Sequence, residues 1–242
     1  MENAKMFQVA TLQALALGYT KSVITVEELL RHGNIGLGTF EGVDGEMIVL
    51  DGHCYRATAD GSVFEAPHDK GVPFCAVSFL QNDDPFEIEN IKDINALKTY
   101  LDILIDERFE LNSMHVVRID AHFGEVMARS ETGKSSRHVE LKNLLENNQQ
   151  DFFFSDIEGT MVCVYFPDYM DGINAPGWHL HFVSGDRKFG GHVFNVNFEK
   201  ASAVINKISS IEIKLPDEPE FDTYALKEAS GSDIKKVEQG SE

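Results

Sequence analysis

The chain has 242 residues, with 40 acidic and 21 basic side chains and a formal net charge of -19. Apolar residues make up 43% of it, enough for a hydrophobic core, and the length suits one large domain or two small ones. The acidic excess argues against binding to nucleic acid or to anionic membrane surfaces, because both need a basic surface.

Targeting and redox features favour the cytoplasm. The first residues show no basic segment followed by an apolar one, so we expect no export signal. We expect no membrane span either, since no run of 18 apolar residues occurs. The scattered cysteines Cys54, Cys75 and Cys163 are typical of buried thiols in a reducing compartment rather than a disulfide framework.

The N-terminal part predicts short helices followed by strands. Apolar spacing over 11–17 indicates one or two helical turns. Thr25 and Glu28 have the spacing of a capping box, and Gly33 is expected to end that helix. Strands separated by glycine-containing turns are then predicted at 36–40, 46–50, 54–58 and 74–80.

The middle of the chain mixes both periodicities. Residues 93–106 have the apolar spacing of an amphipathic helix, and 139–145 predict another helix. Residues 114–119 and 123–128 alternate between apolar and polar side chains, which predicts a hairpin of two strands.

The polar run at 147–151 is the predicted internal boundary. It divides the chain into residues 1–150 and residues 151–242. Strands are predicted at 160–166, 177–183, 191–198 and 209–215. The stretch 216–242 holds eight acids and three lysines, a composition typical of a solvated tail. The predicted fold class is α+β, with antiparallel hairpins.

Three histidines lie within fourteen residues: His179, His181 and His192. On a strand, residues i and i+2 project from the same face, so the first two imidazoles point one way and their apolar neighbours the other. The imidazoles would then lie on the surface opposite the core. The glycine-rich connection 184–191 would return the chain antiparallel and bring His192 beside the pair.

Three neutral imidazoles converging on one point are typical of a catalytic zinc site with open coordination positions. No cysteine lies nearby to complete a structural zinc site. The spacing leaves two alternatives open: an ordinary surface pair of histidines, or a site for iron, copper, nickel or manganese.

The same segment carries a family resemblance. Residues 177–193 contain GWHLHF and DRKFGGHV, which closely resemble the GxHxHF and DRxxGGHV hallmark of alpha-acetolactate decarboxylases. Residues 36–46 are similar to that family's IGTFxGLDGE segment, and 117–129 to its RIDGxF…TR segment. The resemblance covers nearly the whole chain.

The resemblance implies roles by position. It makes His179, His181 and His192 the zinc ligands, Glu46 and Arg129 active-site residues, Thr39 a pocket residue, and Glu238 part of a C-terminal tail that folds back over the metal. On the residues alone, each of these positions has a simpler interpretation. Glu46 could be a solvated acid in a turn and Arg129 a surface cation. Thr39 could be an ordinary strand residue, and Glu238 one charge in a loose tail.

The reaction implied is zinc-dependent decarboxylation of (S)-2-acetolactate to (R)-acetoin and carbon dioxide. The substrate's ketone lies β to its carboxylate and accepts the electrons left behind. Zinc chelating the ketone and hydroxyl oxygens would stabilise the resulting enediolate, which is then protonated on one face. We predict Glu46 as the general acid and Arg129 as the electrostatic anchor, with the reverse assignment open.

The resemblance also implies two β-rich units with flanking helices, an N-terminal mixed-sheet subdomain over 1–150 and a C-terminal metal-binding subdomain over 151–242. It further implies a homodimer, a small-molecule substrate and Zn2+ as the cofactor. Two other functions stay open on the residues alone. One is a zinc hydrolase that uses metal-bound hydroxide with Glu46 as base. The other is a metal-binding protein without catalysis, in which Glu46 and Arg129 would be dispensable.

Overall fold

The computed structural model describes residues 5–81, 84–133 and 140–223. The α-helices are α1 (Leu12–Ala16), α2 (Val26–Leu29), α3 (Ile94–Glu107) and α4 (Leu141–Asn148). The strands are β1 (Lys5–Val9), β2 (Ile24–Thr25), β3 (Ile35–Thr39), β4 (Glu46–Leu50), β5 (His53–Ala57), β6 (Val63–Glu65), β7 (Gly71–Val72), β8 (Phe74–Ser78), β9 (Phe86–Ile91), β10 (Met114–Glu131), β11 (Gln149–Phe166), β12 (Gly177–Ser184), β13 (Gly190–Ile208) and β14 (Ser210–Lys214). Mostly β-sheet with a few helices, this architecture confirms the predicted α+β class.

The first sheet contains seven strands in the order β14-β1-β8-β3-β4-β5-β6. Strands β1 and β14 pair in parallel, and the other neighbours pair antiparallel. The predicted turns are confirmed on both sides of β4. Between β4 and β5, Asp51 and Gly52 have φ values of 54° and 80°, the left-handed conformation that a two-residue hairpin turn requires.

The second sheet contains β9 to β13. Pairings of β10 with β11, β11 with β12, β12 with β13 and β13 with β10 close four strands into a ring, and β9 adds to β13. The predicted hairpin at 114–119 and 123–128 is wrong, because β10 is one strand of 18 residues. Ala121 stays paired with Gly159 on one side and Ala201 on the other, so the chain has no reason to turn there.

Side-chain caps confirm the predicted helix starts. Thr11 Oγ1 accepts a hydrogen bond from the third residue of α1 at 3.2 Å, and Thr25 Oγ1 accepts one from Glu28 N at 3.3 Å. Asp93 caps α3 in the same way at 2.8 Å. These contacts satisfy amide groups that a helix start leaves without intrahelical partners. The predicted helix at 139–145 corresponds to α4, although residue 139 lies outside the described residues.

Two apolar clusters hold the sheets in place. One lies between the sheets and includes Leu37, Ile48, Val116, Val162, Val164 and Phe166. The other packs the apolar face of α3 against the ring and includes Leu97, Leu101, Ile105, Phe123, Leu180 and Phe182. The three cysteines are buried free thiols, as predicted.

Replacing Leu101 with alanine is expected to lower the free energy of unfolding by about 2–5 kcal/mol, because it opens a cavity in the cluster under α3. Leu101 is 0% exposed, whereas Ile103, on the same helix, is 53% exposed. Ile103→Ala is therefore the matched control and should change stability by about 0.5 kcal/mol or less. Denaturant unfolding of both variants checks the difference. Equal losses would mean that α3 does not pack as described.

Sheet membership does not follow the predicted boundary near residue 150. Strands β9 and β10 belong to the second sheet, and the C-terminal β14 belongs to the first. The polar run at 147–151 is the end of α4 and the start of β11. The division into two subdomains stays a prediction. Among the described residues, no helix is long and apolar enough to cross a membrane.

Candidate metal centre and active site

The three histidines meet between the two sheets. His179 and His181 project from one face of β12, while Trp178, Leu180 and Phe182 on its other face join the cluster under α3, as the alternation predicts. On β13, His192 pairs directly with His181, which confirms the predicted return of the chain. The expectation that the imidazoles lie on a surface is wrong. They are 8%, 0% and 5% exposed, in chain order, because β4 of the first sheet covers this face.

Two of the three pairs of imidazole nitrogens have the spacing of ligands to one metal ion. His179 Nε2 lies 3.0 Å from His181 Nε2 and 3.0 Å from His192 Nδ1. One ligand atom from each of the three histidines lies within 4.8 Å of the others. Nitrogens that bind a common ion at ~2.0–2.1 Å are themselves about 3–3.4 Å apart. The three residues therefore form a possible metal site.

Hydrogen bonding and burial both favour the neutral, metal-binding form of these rings. His181 Nδ1 lies 2.8 Å from the carbonyl oxygen of Met47, so it donates its proton there and leaves Nε2 free to bind a metal. Burial lowers the pKa of His181 well below its ordinary value, and the neighbouring His179 acts in the same direction. Burial, followed by the charge of Arg129, lowers the pKa of His179 to about 3.

Glu46 is placed beside the triad. It is the first residue of β4, and its Oε2 lies 3.3 Å from His181 Nε2. Its side chain is 14% exposed, and its backbone N–H donates to Ser130 Oγ at 3.3 Å. The predicted active-site glutamate is thus a largely buried carboxylate at the edge of the possible metal site.

Arg129 approaches the triad from the ring. It pairs directly with His192 across β10 and β13, and its Nη2 lies 3.4 Å from His192 Nε2. The register of β10 against β13 shifts between Met127 and Ala128, immediately before this pair. Such an irregularity bends a strand and redirects the side chains that follow, which here turns the guanidinium toward the histidines.

Four of these residues, Glu46, Arg129, His179 and His192, line one cavity. Its polar wall consists of Thr39, Glu46, Arg129, Glu131, Gln149, His179 and His192. Its apolar wall consists of Leu15, Val43, Phe74, Leu141 and Leu145, from α1, α4 and the neighbouring loops and strands. The Thr39 hydroxyl is buried and donates to the carbonyl oxygen of Gly45 at 2.9 Å, so it also fixes the turn before Glu46. Glu238 lies outside the described residues.

The sequence interpretation missed Glu131 and the apolar wall. Glu131 is 2% exposed and lies two residues after Arg129 on β10, so both side chains project from the same face. That spacing was visible in the sequence and could have identified Glu131. The leucines of α1 and α4 had no such signal, because their place on the cavity depends on tertiary packing.

Protein treated with a chelator is expected to lose stability as the pH falls below about 6.5, the ordinary pKa of histidine. The folded chain holds the pKa of His179 at about 3, while the unfolded chain has the ordinary value. Between these values only the unfolded chain binds the proton. Each pH unit of acidification therefore lowers the free energy of unfolding by about 1.4 kcal/mol for this proton. Denaturant unfolding at several pH values measures the slope.

The control for this slope is a variant that lacks the buried imidazole. His179→Gln should make the pH dependence shallower by about one proton, while the buried His181 still contributes its own share. An unchanged slope in His179→Gln would contradict the assignment of a buried neutral imidazole.

Known proteins resemble this chain over almost its full length. The family model described as alpha-acetolactate decarboxylase matches residues 6–228. An alpha-acetolactate decarboxylase of Methanosarcina mazei is 33% identical over 234 residues, covering 97% of this chain and 80% of the relative. One from Brevibacillus brevis is 30% identical over 96% of this chain and 80% of the relative. The crystal structure of alpha-acetolactate decarboxylase from Bacillus subtilis superposes with a TM-score of 0.91 at 27% identity, covering 98% of this chain and 100% of that one.

Proposed function

Because the chain belongs to the alpha-acetolactate decarboxylase family, a family of carboxy-lyases, we propose that it converts (S)-2-acetolactate to (R)-acetoin and carbon dioxide with the help of zinc. The observation that carries the proposal is the convergence of three buried imidazoles beside Glu46 and Arg129, with His179 and His192 lining the same cavity as these two residues. We propose zinc because three neutral histidines without cysteine are typical of catalytic zinc sites.

The substrate supplies its own electron sink. Its ketone lies β to the carboxylate, so the electron pair of the breaking carbon–carbon bond moves onto the ketone oxygen as carbon dioxide leaves. A zinc ion held by His179, His181 and His192 would act as a Lewis acid that stabilises negative charge on the substrate oxygens. No pyridoxal or thiamine cofactor is needed for this chemistry.

Arg129 is proposed to anchor the substrate. If His192 held a metal through Nδ1, its Nε2 would carry the ring proton. This nitrogen and the Arg129 guanidinium, whose Nη2 lies 3.4 Å away, would then both be donors. Two donors facing the same space suit an anionic oxygen, such as one of the substrate carboxylate. The guanidinium is a poor proton donor, so its role is electrostatic.

Glu46 is proposed to deliver the proton that forms (R)-acetoin. The carboxyl group lies at the edge of the triad, where it can reach the carbon that lost carbon dioxide. Since it stands on one side of the cavity, it protonates one face of the intermediate, which gives a single enantiomer. The apolar wall opposite would hold the substrate's methyl groups and limit access of water.

Three further assignments stay predictions. Glu238 would close over the site from the C-terminal tail, the protein would act as a homodimer, and it would work in the cytoplasm. None of them is needed for the chemistry of the described cavity.

Metal analysis paired with acetoin assays tests the proposal. Purified protein is expected to contain one zinc per chain and to release acetoin, to lose this activity on chelation, and to regain it when zinc is added back. If the protein contains zinc but forms no acetoin from racemic acetolactate, the proposed reaction is wrong and the metal site remains. If protein purified without any chelator contains no metal and is still fully active, the proposed role of the metal is wrong.

A further inference from the structure

The turn that delivers Glu46 to the cavity has an unfavourable backbone. Gly42, Val43 and Gly45 have positive φ values of 78°, 55° and 94°. Glycine adopts this conformation freely, but a β-branched residue such as Val43 does so rarely. At Gly45 an added Cβ would lie 2.4 Å from a carbonyl oxygen of β5, so only glycine fits. Such a turn persists only when the surrounding structure holds it.

Asp44, the remaining residue of this turn, is held by two cations. Its carboxylate lies 2.6 Å from Arg56 Nη2 and 3.3 Å from Lys70 Nζ. Arg56 Nε also donates to the backbone carbonyl of Asp44 at 2.6 Å. One guanidinium therefore binds both the side chain and the backbone of the same residue, which a single ammonium group cannot reproduce. The side chains of Asp44 and Arg56 are 26% and 29% exposed, so the pair is partly shielded from water.

Contacts of the same turn reach the strand that carries Arg129. Asp44 Oδ1 accepts a hydrogen bond from Gly133 N at 3.4 Å, just beyond the end of β10. Ser130 Oγ accepts from Glu46 N at 3.3 Å. The turn before Glu46 and the end of β10 are thus joined by two hydrogen bonds.

We propose that Asp44 and Arg56 are positioning residues for the decarboxylation, because their ion pair holds Glu46 and Arg129 in register at the cavity. The kinetic part of this inference rests on the proposed function. Neither Asp44 nor Arg56 is among the described residues that line the cavity, so both act through other residues and not by touching the substrate. Lys70 supports the same carboxylate from a greater distance.

Asp44→Asn tests the pair, because the amide keeps the size of the side chain and removes its charge. We expect kcat for acetoin formation to fall about 10–100-fold, with KM and bound zinc changed by about twofold or less, since small displacements of catalytic groups mainly slow the chemical step. Arg56→Gln should have a similar effect. The double variant should be no slower than the slower single variant, because both lose one shared interaction.

Two control variants accompany the pair. Asp51→Asn removes a carboxylate that pairs with Arg118 on the surface, and kcat should not change. Lys70→Gln removes the longer contact and should lower kcat only a few fold. If Asp44→Asn does not fold, Arg56→Gln and Lys70→Gln carry the test.

Hydrogen exchange supplies a measurement that does not depend on activity. In Asp44→Asn, the backbone amides of 43–46 and of Gly133 should exchange about tenfold faster, while those of α3 keep their protection. The wild type could make no acetoin while Asp44→Asn still speeds exchange at the turn. That result would refute the proposed function but keep the structural role of the Asp44–Arg56 pair. An active wild type whose Asp44 and Arg56 variants keep kcat within about twofold would overturn the inference. Faster exchange throughout α3 would also overturn it, since the effect would then be global.

Discussion

His181→Gln is expected to abolish zinc retention and to lower kcat for acetoin formation by at least about 10³-fold, the scale of losing a principal stabiliser of transition-state charge. The substitution removes the Nε2 atom that faces His179 at 3.0 Å and also the Nδ1 donor to the Met47 carbonyl. Glutamine fills much of the same volume, so the sheet interface should remain packed. Zinc content after desalting and the initial rate of acetoin formation measure the two effects.

His122→Gln is the matched control. His122 lies on β10, outside the cavity, and contacts Asp156 on the surface at 2.7 Å. This variant should keep both zinc and activity. If His181→Gln keeps stoichiometric zinc and normal turnover, the three-histidine centre has no part in the mechanism.

The geometry of the histidines was predictable because it depends on local strand structure. The two-residue period of a strand places His179 and His181 on one face, and a short glycine-containing connection brings His192 back beside them. Both features are confirmed by the direct pairing of His181 with His192. Neither requires knowledge of any distant part of the chain.

Burial of the site was not predictable in the same way. The periodicity of β12 separates two faces but does not say what covers the polar one. In the structure β4 covers it, and His181 contacts the Met47 carbonyl, 134 positions away in the chain. Contacts of that sequence separation depend on how the sheets pack, which local patterns do not encode.

The same limitation explains the error at β10. Alternation over 114–119 and 123–128 correctly indicated extended structure, but the residues between these two stretches were taken as a turn. Strands β11 and β13 pair with it both before and after this region, so it continues as one strand. The length of a strand is therefore decided by its neighbours as much as by its own residues.

Glu46→Gln is expected to lower kcat by about 10²–10⁴-fold, the range that general acid–base catalysis contributes. The amide keeps the shape of the side chain and its position on β4 but cannot deliver the proton. Zinc content should be unchanged, because the possible metal site consists of the three histidines and does not include Glu46. If water then protonates the intermediate, the acetoin formed should lose enantiomeric purity. Chiral chromatography of the product, together with the steady-state rate, measures both effects.

Glu65→Gln separates the loss of the proposed proton donor from a general loss of negative charge. Glu65 lies on β6 of the same sheet, where its exposed carboxylate pairs with the exposed His53. Its replacement should leave rate and product purity unchanged. A Glu46→Gln enzyme with near-normal kcat and pure (R)-acetoin would assign the proton to another group. The buried Glu131, on the same cavity wall as Arg129, would then be the carboxylate to replace next, because its position gives it access to the substrate from the opposite strand.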